Sequence, residues 1–133
     1  MKNYVLAYIA TGLVFAGLDA VWLTLTASRL YRPALQEIMA DRVHVAPALA
    51  FYLLYILGLI IFAVAPGLAA GRWSIALLRG ALFGLFTYMT YDLTNQATLK
   101  VWSVSITMAD LCWGTVASAL AAALGCAAML ALG

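Results

Sequence analysis

Charge is the scarcest property of this chain. Only 9% of its 133 residues are Asp, Glu, Lys or Arg, whereas 67% are hydrophobic, and the mean hydropathy is +1.05. An average soluble domain is about one quarter charged, so this composition excludes a soluble globular protein. The net charge of +2 is small and the basic residues stand singly, so we expect no nucleic-acid partner. The sequence predicts a small polytopic membrane protein that has the lipid bilayer as a partner.

Residues that carry common catalytic chemistry are also scarce. His44 is the only histidine, which leaves no bis-His haem site and makes a catalytic zinc site unexpected. Cys112 and Cys126 are fourteen residues apart, which is about 21 Å along one helix, so they cannot bridge each other. The sequence contains no Gly-rich phosphate loop and no Ser-His-Asp set. We therefore predict no metal site, and no motif indicates a particular cofactor.

Long apolar runs are what the chain does have. Because lipid offers the backbone no hydrogen-bond partners, a membrane-crossing run of this kind is expected to be helical. The first run is too long for a cleaved signal peptide and favours a retained helix. We predict an all-α fold, one transmembrane domain over 1–133, as a bundle of four transmembrane helices at roughly 4–27, 45–69, 75–99 and 105–132.

The polar connection 28–44 is the only one of any length. Pro33 suits the first turn of a helix, and the residues after it separate into an apolar and a polar face at helical spacing. We expect a short amphipathic helix over roughly 33–43, lying in the membrane interface between the first and second helices. A solvated loop is the alternative. Farther along, Pro66-Gly67 predicts a helix stop.

Four crossings place both termini on one side of the membrane. The connection 28–44 and the turn 100–105 lie on the other side, which we call the loop face. Lys and Arg number three on the terminal side, with the amino terminus in addition, and four on the loop face. These nearly equal counts do not fix the orientation by the positive-inside rule.

Three aspartates lie inside the predicted crossings. Asp19 stands ten residues before Arg29. Asp92 stands eight residues before Lys100, and Asp110 ten residues after it. At about 1.5 Å per residue, all three are expected at similar depths in the half of the membrane next to the loop face. An ionisable group there costs about 3 kcal/mol on insertion scales, so the sequence predicts one polar centre.

Small residues share the helix faces of these aspartates. Gly80 and Gly84 precede Asp92 at helical spacing, and Asp110 heads a stripe that continues through Gly114 every four residues. Such faces let neighbouring helices approach closely, so we expect the first, third and fourth helices to meet there while the second closes the bundle. The side chains predicted to line the substrate-binding centre are Asp19, Trp22, Tyr88, Tyr91, Asp92, Asn95, Trp102, Asp110 and Trp113.

Simpler interpretations of these residues remain open. Trp22 and Trp102 are also typical of ordinary interfacial aromatics, and a lone aspartate could pair with a basic side chain from the loop face. The polar residues could form a purely structural network. Three carboxylates at one depth argue against that reading, because they repel one another and are costly to desolvate.

The motifs around the aspartates resemble those of a known family. They are Leu18-Asp19 with Trp22-Leu23, Tyr91-Asp92-Leu93-Thr94-Asn95 with Ala97-Thr98 and Trp102, and Asp110 with Trp113-Gly114. In them the chain resembles, over essentially its whole length, a family of small bacterial membrane proteins of unknown function. The resemblance implies a multi-pass protein of the bacterial inner membrane and supplies no activity.

Three functions stay open at this point. The first is an intramembrane carboxylate and amide pocket that binds or moves a small amphiphile, a lipid or a proton, with transport expected from a homodimer. The second is a membrane-embedded enzyme of lipid modification, in which the carboxylates would bind Mg²⁺ or act as a general acid. No nucleophile–base pair accompanies them. The third is a non-catalytic accessory subunit.

Overall fold

Four helices account for the regular structure of the described residues. The computed structural model describes residues 3–36, 38–40 and 42–133, and every regular element within them is helical. This confirms the predicted all-α membrane bundle. The helices are α1 at Tyr4–Leu35, α2 at Val45–Ala70, α3 at Trp73–Thr98 and α4 at Val104–Leu132.

Three of these helices, α1, α2 and α4, are long and apolar enough to cross a membrane. The remaining helix, α3, has 26 residues and a length of about 39 Å, but Arg79 and Asp92 interrupt its apolar character. Large apolar side chains cover the outside of the bundle; Leu13 is 70% exposed. A surface of this kind suits acyl chains, and the protein is a multi-pass membrane protein.

Two helices widen into a π-helical turn directly before a proline. The π turn Ala27–Tyr31 in α1 is followed by Arg32 and Pro33, and Ile60–Val64 in α2 is followed by Ala65 and then Pro66. A proline ring clashes with the carbonyl four residues earlier. In the wider turn, the residue before each proline donates its N–H to the carbonyl five residues back, which moves the clashing carbonyl aside.

The π turns explain why the helices continue where the sequence predicts a stop. Helix α1 passes the predicted end at residue 27 and stops at Leu35. Instead of stopping at Pro66-Gly67, α2 continues to Ala70. It is capped by Gly71, whose φ of +67° is a left-handed conformation that glycine adopts readily.

The described residues do not form the separate interfacial helix that was expected over 33–43. The helical turn Arg32–Leu35 is the last turn of α1, and the described residues between it and Val45 form turns, bends and extended chain. Glu37 and Asp41 belong to the predicted helix and lie outside the described residues.

Close packing of α3 on α4 forms the centre of the bundle. A Cβ atom added to Gly80 would lie 2.8 Å from the Cβ of Ala122, and one added to Gly84 would lie 2.7 Å from the Cβ of Ser118. The predicted small-residue contact between the two helices is therefore confirmed. Helix α1 also packs on α4, and α2 closes the bundle: its Tyr55 and Leu59 pack with Phe15 of α1 and with Ala117 and Ala121 of α4.

Candidate functional site

All three membrane aspartates are buried in the bundle. Asp92 on α3 has no exposed surface, while Asp19 on α1 and Asp110 on α4 are 8% and 7% exposed. Burying a carboxylate is unfavourable unless polar groups surround it. The partners of each carboxyl group therefore decide what the site can do.

Asp19 is held by neutral donors from two other helices. The Tyr52 hydroxyl of α2 donates to its Oδ2 atom, and the Trp113 Nε1 of α4 donates to its Oδ1 atom at 3.3 Å. Because Tyr52 also contacts the ring of Phe15 edge to face, at a centroid distance of 6.1 Å, the phenol is fixed against α1. The Asp19 carboxyl group thus ties α1, α2 and α4 together.

Asp110 accepts from a tyrosine at the end of α1. The Tyr31 hydroxyl donates to Asp110 Oδ1, and Trp22 Nε1 donates to the Tyr31 oxygen at 2.9 Å. Tyr31 belongs to the π turn that precedes Pro33. The widened turn therefore carries the side chain that contacts Asp110 from the loop face.

In each of the two Asp-x-x-Trp motifs, the tryptophan lies at the aspartate of the other motif. Trp113, three residues after Asp110, bonds Asp19, while Trp22, three residues after Asp19, reaches Asp110 through Tyr31. The two indole rings stack with their centroids 4.7 Å apart and their planes 5° from parallel. Each motif therefore completes the surroundings of the other aspartate, as expected for antiparallel helices that cross at this depth.

Asp92 has the least satisfied carboxyl group of the three. Neither of its side-chain oxygens receives an N–H or O–H donor from the described residues. Because Tyr88 packs on Gly114, one turn away on each helix, Asp110 on α4 lies opposite Asp92 on α3. Two neighbouring carboxylates repel each other when both are ionised, so their repulsion would be lowest with a proton or a cation between them. Among the described residues, no group of three or more His, Cys, Asp or Glu side chains could hold a metal ion.

Tyr88 borders the carboxylates without bonding to them. A Cβ atom on Gly114 would collide with its ring, and the ring meets Tyr55 edge to face at 6.1 Å. Tyr55 in turn shares hydrogen bonds with Ser118 (2.6 Å) and Thr87 (3.2 Å). Tyr88 therefore lies between the carboxylates and the terminal half of the bundle.

The remaining predicted residues form a different group, nearer the loop face. The Tyr91 ring meets that of Trp102 edge to face at 5.7 Å, and Trp102 Nε1 donates to Thr107 Oγ1 at 3.1 Å. Thr107 donates onward to Gln96 Oε1 at 2.7 Å. Asn95 is half-buried on the same stretch of α3. No hydrogen bond found among the described residues joins this group to the three carboxylates.

Sequence reasoning missed two of the central donors. Tyr31 fell in the polar connection, because the sequence predicts that the first helix ends before it. Tyr52 lies on the second helix, which was expected only to close the bundle. Its position near the loop-face end of that helix is the one signal that could have placed its hydroxyl at the level of Asp19.

Two cavities lie away from the carboxylates. One, of about 580 Å³, adjoins the end of α1 and is lined by Ser28, Arg32, Pro33, Gln36, Met39, Ala40 and Val43. The other, of about 280 Å³, is an open groove between α2 and α3 lined by Phe62, Arg79, Leu82, Phe83, Phe86 and Thr87. The carboxylates themselves lie beneath packed aromatic rings.

Comparison with known proteins gives one match. A family described as "Predicted membrane protein (DUF2177)" matches the chain over residues 4–127. No curated protein and no solved structure matches it.

Proposed function

The chain belongs to this family of predicted membrane proteins, and we propose that it binds and releases a proton at the Asp92–Asp110 pair, inside the bilayer. One observation carries the proposal. Asp92 is fully buried, receives no donor from the described residues, and lies opposite Asp110 in the packing of α3 on α4.

A single proton suits this pair better than a larger ligand does. Placed between the two carboxyl groups, a proton removes their repulsion and gives Asp92 a hydrogen bond that it otherwise lacks. An amphiphile, one of the three ligands expected from the sequence, would have to displace rings that already pack near the carboxylates, such as Tyr88 and the Trp22–Trp113 stack. A proton needs no such rearrangement.

Tyr31 supplies a route for the proton. Its hydroxyl can accept and donate a proton, it touches Asp110, and it lies on the π turn nearest the loop face. Protons would enter from the loop face through Tyr31 and reach the pair at Asp110. Asp19, with Tyr52 and Trp113 as donors, stabilises the far side of the cluster. We place this activity in the bacterial inner membrane.

Infrared difference spectroscopy of the purified protein tests the proposal. The wild-type protein is titrated in detergent or in liposomes, and the carbonyl stretch of protonated carboxyl groups is followed with pH. The matched control is Asn95→Ala, which changes the same helix three residues away from Asp92. We expect a titrating band that shifts in D₂O, persists in the control and is lost in both Asp92→Asn and Asp110→Asn.

Two results of the infrared titration would contradict the proposal. A wild-type protein without a titrating carboxyl band, or a band that survives both aspartate substitutions unchanged, contradicts the proposal. That result would favour the reading in which the aspartates only fix the packing of the helices.

A further inference from the structure

A groove on the outer surface of the bundle combines one guanidinium with an aromatic wall. It lies between α2 and α3, and Phe62 and Phe83 form its floor with centroids 5.8 Å apart and planes 19° from parallel. Phe62 comes from the π turn of α2 and is 57% exposed, and Phe86 is 59% exposed. Arg79 lines one end. In a membrane protein this surface faces acyl chains.

None of the aspartates in the described part of the chain lies near the charge of Arg79. Asp92 is thirteen residues farther along the same helix, about 20 Å away, and Asp19 and Asp110 lie at the level of Asp92. A guanidinium on a lipid-facing surface is costly unless it reaches the headgroup region and an anion there. Its presence on this face is explained if an anion from outside the chain binds to it.

The geometry of α3 brings this guanidinium to the depth of lipid headgroups. Arg79 is six residues, or about 9 Å, from the start of the helix at Trp73, a half-exposed residue of a type enriched at membrane interfaces. Side chains on a helix point towards its N-terminus. The long Arg79 side chain can therefore reach towards the membrane surface, as snorkelling arginines do.

We infer that this groove binds one anionic phospholipid. The phosphate takes the guanidinium, which bonds phosphate oxygens through two parallel N–H groups, and an acyl chain lies along Phe62 and Phe86. The pairing of one cation with an apolar floor matches the two halves of such a lipid. Thr87, which lines the same groove, also hydrogen-bonds Tyr55 inside the bundle, so the lipid would rest on a side chain fixed by the core.

Native mass spectrometry measures this binding directly. The protein is released from detergent after titration with phosphatidylglycerol or, separately, with zwitterionic phosphatidylcholine, and the bound fraction is compared. Loss of a charge-assisted contact lowers affinity by about tenfold or more. We therefore expect Arg79→Gln to weaken phosphatidylglycerol binding about tenfold and to leave phosphatidylcholine binding nearly unchanged.

Two further variants separate the parts of the site. Arg72→Gln, at the exposed cap of α3 and outside the groove, is the matched control and should bind phosphatidylglycerol as the wild-type protein does. Phe86→Ala removes part of the apolar wall and should weaken both lipids alike. Equal losses in Arg79→Gln and Arg72→Gln, or no preference of the wild-type protein for the anionic lipid, would overturn the inference. Neither result bears on the proton site, which lies at the other end of α3.

Discussion

Trp22 and Trp113 stack face to face, with ring centroids 4.7 Å apart and planes 5° from parallel. The stack joins α1 to α4 at the level of the aspartates. Trp113 donates to Asp19 and Trp22 donates to Tyr31, the partner of Asp110. The same two rings therefore hold the helices in place and fill positions around both carboxyl groups. Single substitutions can test each of these two roles, and others can test the packing elsewhere in the bundle.

The indole N–H of Trp113 is expected to contribute measurably to stability. Trp113→Phe keeps an aromatic ring for the stack but removes the donor to Asp19. Because Tyr52 still donates to Asp19, the cost should be about 1 to 2 kcal/mol in the free energy of unfolding, measured by equilibrium unfolding in mixed detergent micelles. Trp73→Phe, at an exposed position, is the control and should change little. A loss no greater than that of the control would contradict the importance of this bond.

Asp92→Asn is expected to fold at least as stably as the wild-type protein. The new amide can donate to Asp110, and the variant no longer has two acidic groups in contact. Asp92→Ala offers no such donor and leaves a small cavity, so it should lose about 1 to 3 kcal/mol. Thermal unfolding in detergent compares the two variants. If Asp92→Asn lost as much stability as Asp92→Ala, this would contradict the view that Asp92 and Asp110 are two acidic groups that repel each other.

Tyr31→Phe should slow proton exchange at the carboxyl pair. The substitution retains the ring and removes the hydroxyl that contacts Asp110. Positioned proton-transfer groups contribute factors of about one hundred or more, so we expect at least a tenfold slower shift of the carboxylic-acid band after transfer to D₂O. Tyr91→Phe changes an exposed tyrosine that is bound to Trp102 rather than to the carboxylates. Equal exchange rates in the two variants would remove Tyr31 from the route.

Two glycine-to-alanine changes test the packing of α3 on α4. In Gly84→Ala the added methyl group would meet the Gly114 carbonyl and the Ser118 side chain, which should cost about 1 to 3 kcal/mol. Gly17→Ala has no atom within 4 Å of the added methyl and should stabilise α1 by about 0.5 to 1 kcal/mol. Unfolding midpoints of the two variants should therefore move in opposite directions. Movement in the same direction would argue against close backbone contact at Gly84.

Spacing in the sequence predicts much of the candidate site. Asp19, Asp92 and Asp110 lie eight or ten residues from basic residues near the loop face, and the fixed rise of a helix converts those separations into depth. The small-residue faces around Gly80 and Gly84 follow from the same periodicity. Both inferences need only one helix at a time, which is why they could be made without the structure.

Which donor meets which aspartate could not be obtained in this way. The exchange of tryptophans between the Asp-x-x-Trp motifs depends on how α1 rotates against α4, and the contact between Asp92 and Asp110 depends on how closely α3 approaches α4. Tyr31 reaches Asp110 only because a π turn carries α1 past the point where the sequence predicts its end. Each of these features involves at least two helices.

The sequence by itself determined the class of protein and its helical fold, and it predicted that the three aspartates lie at one level. Apolar content, run length and the rise per residue are properties of a single segment in a bilayer. The tertiary structure decided that Asp19 has phenol and indole donors while Asp92 is left facing Asp110. Helix rotation and close approach are set by side-chain packing between segments, and a one-dimensional pattern does not contain that information.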